Sequence, residues 1–190
     1  MKKLNGISRI VVITSAVIMI VAYFVPLWQI LMWAPQYPEW LTMKIWINNI
    51  TGDVRIINAL NHYIGMKLIE IDMFPEFKYM GYILGGLIAF GIAAGFIGRR
   101  FMLWAYLSLL MAAGAAALID FYLWGYDYGH NLNPKAAIQV PGMTYQPPLI
   151  GTKQLLNFTA YSGPDIGGWI FVTTGVMVLG VVVYEWRRKK

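Results

Sequence analysis

Five side chains in two separate stretches of the sequence have the types and spacing that metal chemistry requires. His62 and Met66 are four positions apart, so a helix would place both on one face. Asp127 precedes His130 by three positions, and Met143 follows in the same polar stretch. Imidazole and thioether groups suit copper, Cu(I) above all, and a carboxylate can orient a histidine. The five residues therefore predict a copper site.

A simpler interpretation of these residues stays open. Two histidines are sparse for a chain of 190 residues, and eleven methionines are ordinary for a sequence rich in apolar helices. A haem held between His62 and His130 is less favoured than copper, because both residues fall outside the apolar runs that would bury it.

Asp120 is the next residue of interest, because it lies near the end of a long apolar run. A carboxylate at membrane depth is costly and usually marks function. The alternative is that Asp120 lies at the interface, hydrated or paired with a basic residue. We predict that it is a supporting carboxylate.

The composition predicts an integral membrane protein. The chain is 58% hydrophobic and only 13% charged, whereas soluble domains carry about 25% charged residues. The absence of cysteine excludes disulfides and thiolate metal sites. Runs of about 20 apolar residues can cross a bilayer, and four such runs are present, at 9–33, 79–98, 101–124 and 166–186.

The distribution of basic residues predicts that both termini lie in the cytoplasm, with outer loops at 34–78 and 125–165. Cytoplasmic segments are enriched in Lys and Arg. In this orientation, nine of the fifteen basic residues lie on the inner side. They are Lys2, Lys3, Arg9, Arg99, Arg100, Arg187, Arg188, Lys189 and Lys190. The basic excess is thus explained by topology and by contact with membrane lipid, and it gives no support to nucleic-acid binding.

The predicted fold is an all-α four-helix bundle, forming one membrane domain over residues 1–190. The two outer loops would form a small cap. Within the first loop, 41–48 and 53–58 alternate like the strands of a hairpin, and 59–71 reads as a short helix. Glycines spaced by four in the second span, Gly81 with Gly85 and Gly91 with Gly95, predict close helix packing, most simply against the third span.

No sequence motif of a known catalytic site is present, so we predict that the protein is not an enzyme. No phosphate-binding loop, zinc-protease motif or nucleophile elbow occurs. The second outer loop is rich in Tyr, Pro and Gly instead. Aromatic residues are enriched at the cores of interfaces, so this loop is suited to docking a protein partner.

Three segments resemble a small family of bacterial inner-membrane proteins. They are "MKIWINNITGDVRIINALNHYIGMK" (43–67), "DFYLWGYDYGHNLNP" (120–134) and "PGMTYQPPLIG" (141–151). The family is associated with gene clusters for nitrous oxide reductase maturation and copper supply. The resemblance implies an accessory protein of a periplasmic copper enzyme in denitrification, and it carries no ligand set with it.

These observations together predict an inner-membrane accessory protein that docks a periplasmic partner or aids copper delivery to it. The alternative is a structural subunit of a larger membrane complex, or a subunit that transfers electrons from quinol.

Overall fold

The computed structural model describes residues 3–155 and 157–188. Its α-helices are α1 (Gly6–Ile18), α2 (Val54–Ile64), α3 (Phe77–Ile97), α4 (Arg100–His130) and α5 (Ile166–Arg187). Its strands are β1 (Trp28–Trp33), β2 (Leu41–Ile45), β3 (Ile50–Gly52), β4 (Gly151–Leu155) and β5 (Phe158–Pro164). Short 3-10 helices cover Met19–Tyr23, which continues α1, and Ile71–Met73.

The prediction of an all-α fold is wrong, because the structure contains a five-stranded antiparallel sheet. The strands lie in the order β3-β2-β1-β5-β4. Strand β1 is central, and its Ile30 lies opposite Met43 of β2 on one side and Ser162 of β5 on the other. The sheet thus combines segments from both predicted outer loops with one from the predicted first span.

The first predicted span, 9–33, is helical only as far as Tyr23. Pro26 lacks a backbone N–H and disfavours a helical conformation for the residue before it, so the helix cannot continue. The following residues, 28–33, form β1 instead. Five of the six residues of β1 are apolar, so the strand shows no clear alternation and its sequence resembles the end of a membrane helix.

The segment predicted as the second strand of a hairpin is helical. Residues 54–64 form α2, and Asp53 just before it accepts a hydrogen bond at 2.8 Å from the Thr42 backbone N–H. Gly65 ends the helix in the left-handed conformation with φ 83°. The predicted helix at 59–71 therefore begins earlier and ends earlier than expected. Residues 151–155 and 158–164, which fall in the predicted second outer loop, are the strands β4 and β5.

Four helical segments are long and apolar enough to cross a membrane: Gly6–Tyr23, Phe77–Ile97, Arg100–His130 and Ile166–Arg187. The 31 residues of α4 correspond to about 46 Å at about 1.5 Å per residue. This exceeds the hydrocarbon thickness of about 30 Å. The helix is therefore longer than an upright crossing requires, and its last turns pack against the sheet.

The glycines of α3 pack within the chain, but mainly against α1 rather than against the third span. A Cβ added to Gly95 would overlap Ile13, and one added to Gly91 would lie 2.7 Å from Ala16. Gly91 also faces Tyr106 of α4. Small residues therefore allow α1 and α3 to approach closely.

The sheet lies at one end of the four long helices, and the described terminal residues lie at the other. Leu4 donates a backbone hydrogen bond at 2.7 Å to Gly98, in the turn between α3 and α4. The Asn5 N–H donates to Glu185 at the end of α5. Lys2, Lys189 and Lys190, which entered the prediction of orientation, lie outside the described residues.

Candidate functional site

A cavity of about 80 Å³ lies between one face of the sheet and the segments that cover it. We call it the sheet cavity, and we call the described residues of 28–76 and 121–165 the sheet domain. Residues of β1, β2, β4 and β5 form one wall of the cavity, and α2 with the C-terminal end of α4 forms the other. None of the lining residues carries a formal charge.

Three methionines from separate segments line the sheet cavity: Met32 of β1, Met43 of β2, and Met66 in the segment that follows α2. Met43 is 3% exposed. Met32 and Met43 were not among the predicted site residues. The first fell within a predicted membrane span and the second within a predicted surface hairpin, so no signal in the sequence brought them together.

Aromatic rings hold the C-terminal end of α4 against the rest of the sheet domain. The ring of Trp124 lies 4.7 Å from that of Tyr128 and 5.4 Å from that of Phe74, measured between centroids. The Tyr128 hydroxyl donates a hydrogen bond of 2.9 Å to the Leu68 carbonyl. Trp124 and Tyr128 both line the sheet cavity, so its helical wall is fixed in place.

Tyr145 adds a third ring to the cavity wall and is only 4% exposed. Its backbone N–H donates to the Gly129 carbonyl at 3.0 Å. Position 129 requires glycine, because a Cβ there would collide with the backbone of Gln146. The Tyr145 hydroxyl is buried and has no hydrogen-bond partner among residues 3–155 and 157–188.

Asp127 forms an ion pair with Lys67. Its Oδ2 lies 2.5 Å from Lys67 Nζ, and its other oxygen accepts a hydrogen bond from the Asn131 side chain. The ion pair joins the segment after α2 to the end of α4. Because both side chains are about two-fifths exposed, solvent weakens this pair.

His130 is held by its own helix. Its Nδ1 lies 3.0 Å from the Tyr126 carbonyl oxygen, and its ring stacks on that of Tyr126 with centroids 3.9 Å apart. A carbonyl can only accept, so Nδ1 carries the hydrogen. In the neutral ring Nε2 is then the atom with a free lone pair for a metal or a partner.

The remaining predicted ligands lie in different environments. His62 is exposed on α2, with its ring edge-on to that of Tyr63. Met66 follows the end of α2, so the helical spacing expected between His62 and Met66 does not apply. Met143 is half-buried in the segment between α4 and β4. Among the described residues, no group of three or more His, Cys, Asp or Glu side chains could hold a metal ion.

Asp120 is exposed on α4 and acts electrostatically on Glu76, the residue before α3. Burial raises the pKa of the Glu76 carboxyl, a backbone hydrogen bond opposes the rise, and the Asp120 carboxylate adds to it.

A polar network that we did not predict lies at the opposite end of the molecule, around Glu185. This carboxylate is 2% exposed and accepts a hydrogen bond of 2.7 Å from the Ser8 hydroxyl. It pairs with Arg100 at 3.2 Å and Arg188 at 3.6 Å. The sequence offered one signal of this network, because Glu185 is a lone acidic residue among the basic residues of the predicted cytoplasmic side.

The fold and the cavity define the chain as a protein with four helices long enough to cross a membrane and a five-stranded sheet domain at one end. No protein-family model matches the sequence, and no curated protein matches it.

Proposed function

We propose that the protein is an accessory protein of the bacterial inner membrane, with its sheet domain in the periplasm. There it docks a copper enzyme, nitrous oxide reductase, or aids copper delivery to it. The resemblance of three sequence segments to proteins of such gene clusters suggests the system. We propose no catalytic role for the chain itself.

The observation that carries a docking role is the direct connection between the sheet and the membrane helices. The backbone N–H of Asp165 donates to Leu27 at 3.1 Å, and that of Gly167 donates to Pro26 at 2.9 Å. These bonds join the exit of α1 to the entry of α5 immediately beside β1 and β5. A partner bound to the sheet domain would therefore be held at a fixed height above the membrane.

Exposed aromatic side chains on the sheet domain support a protein partner. Trp40 is 51% exposed and Tyr63 is 55% exposed. Trp and Tyr are among the residues that contribute most to binding at protein interfaces.

The test is to measure copper per nitrous oxide reductase in a denitrifying bacterium that produces either this chain or its variants. We expect the copper content to fall several-fold without the chain, and with Trp40→Ala or Tyr63→Ala. The control is Tyr82→Ala, since Tyr82 is 82% exposed on α3, within a membrane-crossing helix. Full copper loading in the absence of the chain would refute the proposal.

The predicted ligands His62, Met66, Asp127, His130 and Met143 require a separate test, and so does the supporting carboxylate Asp120. Copper bound by the purified chain should decrease in His62→Ala and His130→Ala if the histidines are ligands. Equal copper in the wild type and both variants would remove them from the ligand set.

A structural subunit of a larger membrane complex is the second candidate function. Between Leu110 and Gly125, no residue of α4 is buried within the described chain. This stretch includes the small residues 112–117, and small residues favour contact with another helix in lipid. Ala116→Leu should then release the chain from a co-purifying membrane complex. If the chain migrates as a monomer under all mild detergent conditions, this candidate is excluded.

A further inference from the structure

The sheet cavity brings together three thioether side chains that are distant in the sequence. In the register of β1 and β2, Met32 lies opposite Leu41, and Met43 lies opposite Ile30. The two methionines are therefore diagonal neighbours on one face of the sheet. At that separation long side chains are within reach of each other.

Met66 reaches the same cavity from the opposite wall because α2 ends in a defined way. The Gly65 C-cap reverses the chain, and the Met66 N–H donates to the Asn61 carbonyl at 2.9 Å. The Asn58 side chain then binds both backbone groups of Ile69, at 2.7 and 3.0 Å. The segment that carries Met66 is thus fixed across the sheet.

The chemistry of the lining selects among ions. Thioethers are soft, neutral ligands, and they favour Cu(I) over hard cations that need oxygen ligands. No lining residue is charged, so a divalent ion would be buried without compensation. The rings of Trp124 and Tyr128 offer further attraction to a monovalent cation.

The size of the cavity also favours an ion over an organic cofactor. Its volume is about 80 Å³, whereas an engineered apolar cavity that binds benzene measures about 150 Å³. A quinone ring would need the walls to separate, but a single metal ion would not.

We propose that Met32, Met43 and Met66 form a Cu(I) site inside the sheet domain. This inference rests on the proposed role in copper supply and deepens it, because it names the oxidation state carried and a different set of ligands. Of the residues expected from the sequence, only Met66 belongs to this site.

The experiment is anaerobic titration of the detergent-purified full chain with Cu(I), in competition with a chromophoric Cu(I) chelator. Ag(I) serves as a redox-inert second probe. The variants are Met32→Leu, Met43→Leu and Met66→Leu, because Met and Leu have similar volumes and exchange at little cost to folding. The control is Met111→Leu, at a position 65% exposed on α4. Thermal unfolding of each variant verifies that it is folded.

We expect the wild-type chain to bind one Cu(I). Each cavity substitution should weaken the affinity for Cu(I) at least about tenfold, because even substitution of residues that only hydrogen-bond to metal ligands has an effect of this size. The Met111→Leu control should bind as the wild type does. X-ray absorption of the bound copper should show sulfur neighbours.

The outcomes separate the inference from the proposed function. Wild-type affinity in all three cavity variants, with loss in His62→Ala or His130→Ala, would overturn the methionine site and leave copper supply intact. If the wild type binds no Cu(I), the site is overturned, and the measurement of copper in the reductase still tests the accessory role independently. Equal weakening by Met111→Leu would also overturn the site.

Discussion

Removing the hydroxyl of Tyr145 should stabilise the protein, which is the opposite of what most substitutions of a buried tyrosine do. This side chain is 4% exposed, and its hydroxyl has no hydrogen-bond partner among the described residues. A buried polar group without a partner costs about 1–3 kcal/mol. Tyr145→Phe removes that group and keeps the ring, so we expect the free energy of unfolding to rise by about 1 kcal/mol.

Tyr128 provides a matched control in the wall of the same cavity. It is 3% exposed, and its hydroxyl donates at 2.9 Å to the Leu68 carbonyl. Tyr128→Phe removes a formed hydrogen bond, which is worth about 0.5–1.5 kcal/mol. The two variants should therefore shift stability in opposite directions, although the chemical change is the same.

The assay is thermal unfolding of metal-free protein in detergent, followed by circular dichroism. For a chain of this size, 1 kcal/mol corresponds to about 2–4 °C in Tm. We expect Tm to rise by about that amount for Tyr145→Phe and to fall by about that amount for Tyr128→Phe. A fall for Tyr145→Phe equal to that for Tyr128→Phe would show that the Tyr145 hydroxyl has a bound acceptor, and the reasoning would be refuted.

Three further predictions test other parts of the structure. Glu185→Ala should destabilise the protein by about 3–5 kcal/mol, because it leaves the mostly buried Arg100 guanidinium unpaired. In the same unfolding assay, Lys67→Ala at the exposed Asp127 pair should cost only about 0.2–1 kcal/mol. Similar losses of stability in the two variants would contradict this ranking. Gly129→Ala should displace the Tyr145 segment and cost about 1–3 kcal/mol of stability. The control Gly125→Ala should be tolerated, because a Cβ there would have its nearest neighbours at 4.0 Å. Crosslinking of position 145 to α4 measures the displacement, and unchanged crosslinking in Gly129→Ala would argue against it. The Glu76 pKa is raised above its ordinary value of 4.5, so the folded state binds a proton more tightly than the unfolded state, and the free energy of unfolding should decrease as the pH rises from 4.5 through the raised pKa. Glu76→Gln should remove this pH dependence. An unchanged pH profile in the variant would exclude Glu76 as its source.

The sequence predicts the apolar helices well but not the sheet, and the reason lies in β1 and β5. A membrane helix is recognised from a continuous apolar run within one segment, as in 79–98. Strand β1 forms only because β2 and β5 satisfy its backbone, and β5 lies far along the chain. Non-local pairing of this kind leaves no periodic signal in either segment.

The candidate site shows the same contrast between spacing within one segment, which the sequence displays, and pairing between segments, which it does not. His62 and Met66 were grouped by helical spacing, but Gly65 ends the helix between them. Met32 and Met43 become neighbours only through the register of two strands. The capping glycine was visible in the sequence, whereas the register depended on recognising β1 as a strand.

The pairing of β5 with β1 determines the order in which the protein can assemble. The Trp28 indole N–H donates at 2.8 Å to the hydroxyl of Ser162, a residue 134 positions later. During synthesis, three membrane helices must therefore be inserted before β1 has its partner on that side. Until then its edge presents free backbone groups, which are prone to pair with other chains. A chaperone or protease would therefore act on the protein at this stage of synthesis, and pairing with β5 ends the exposure of that edge.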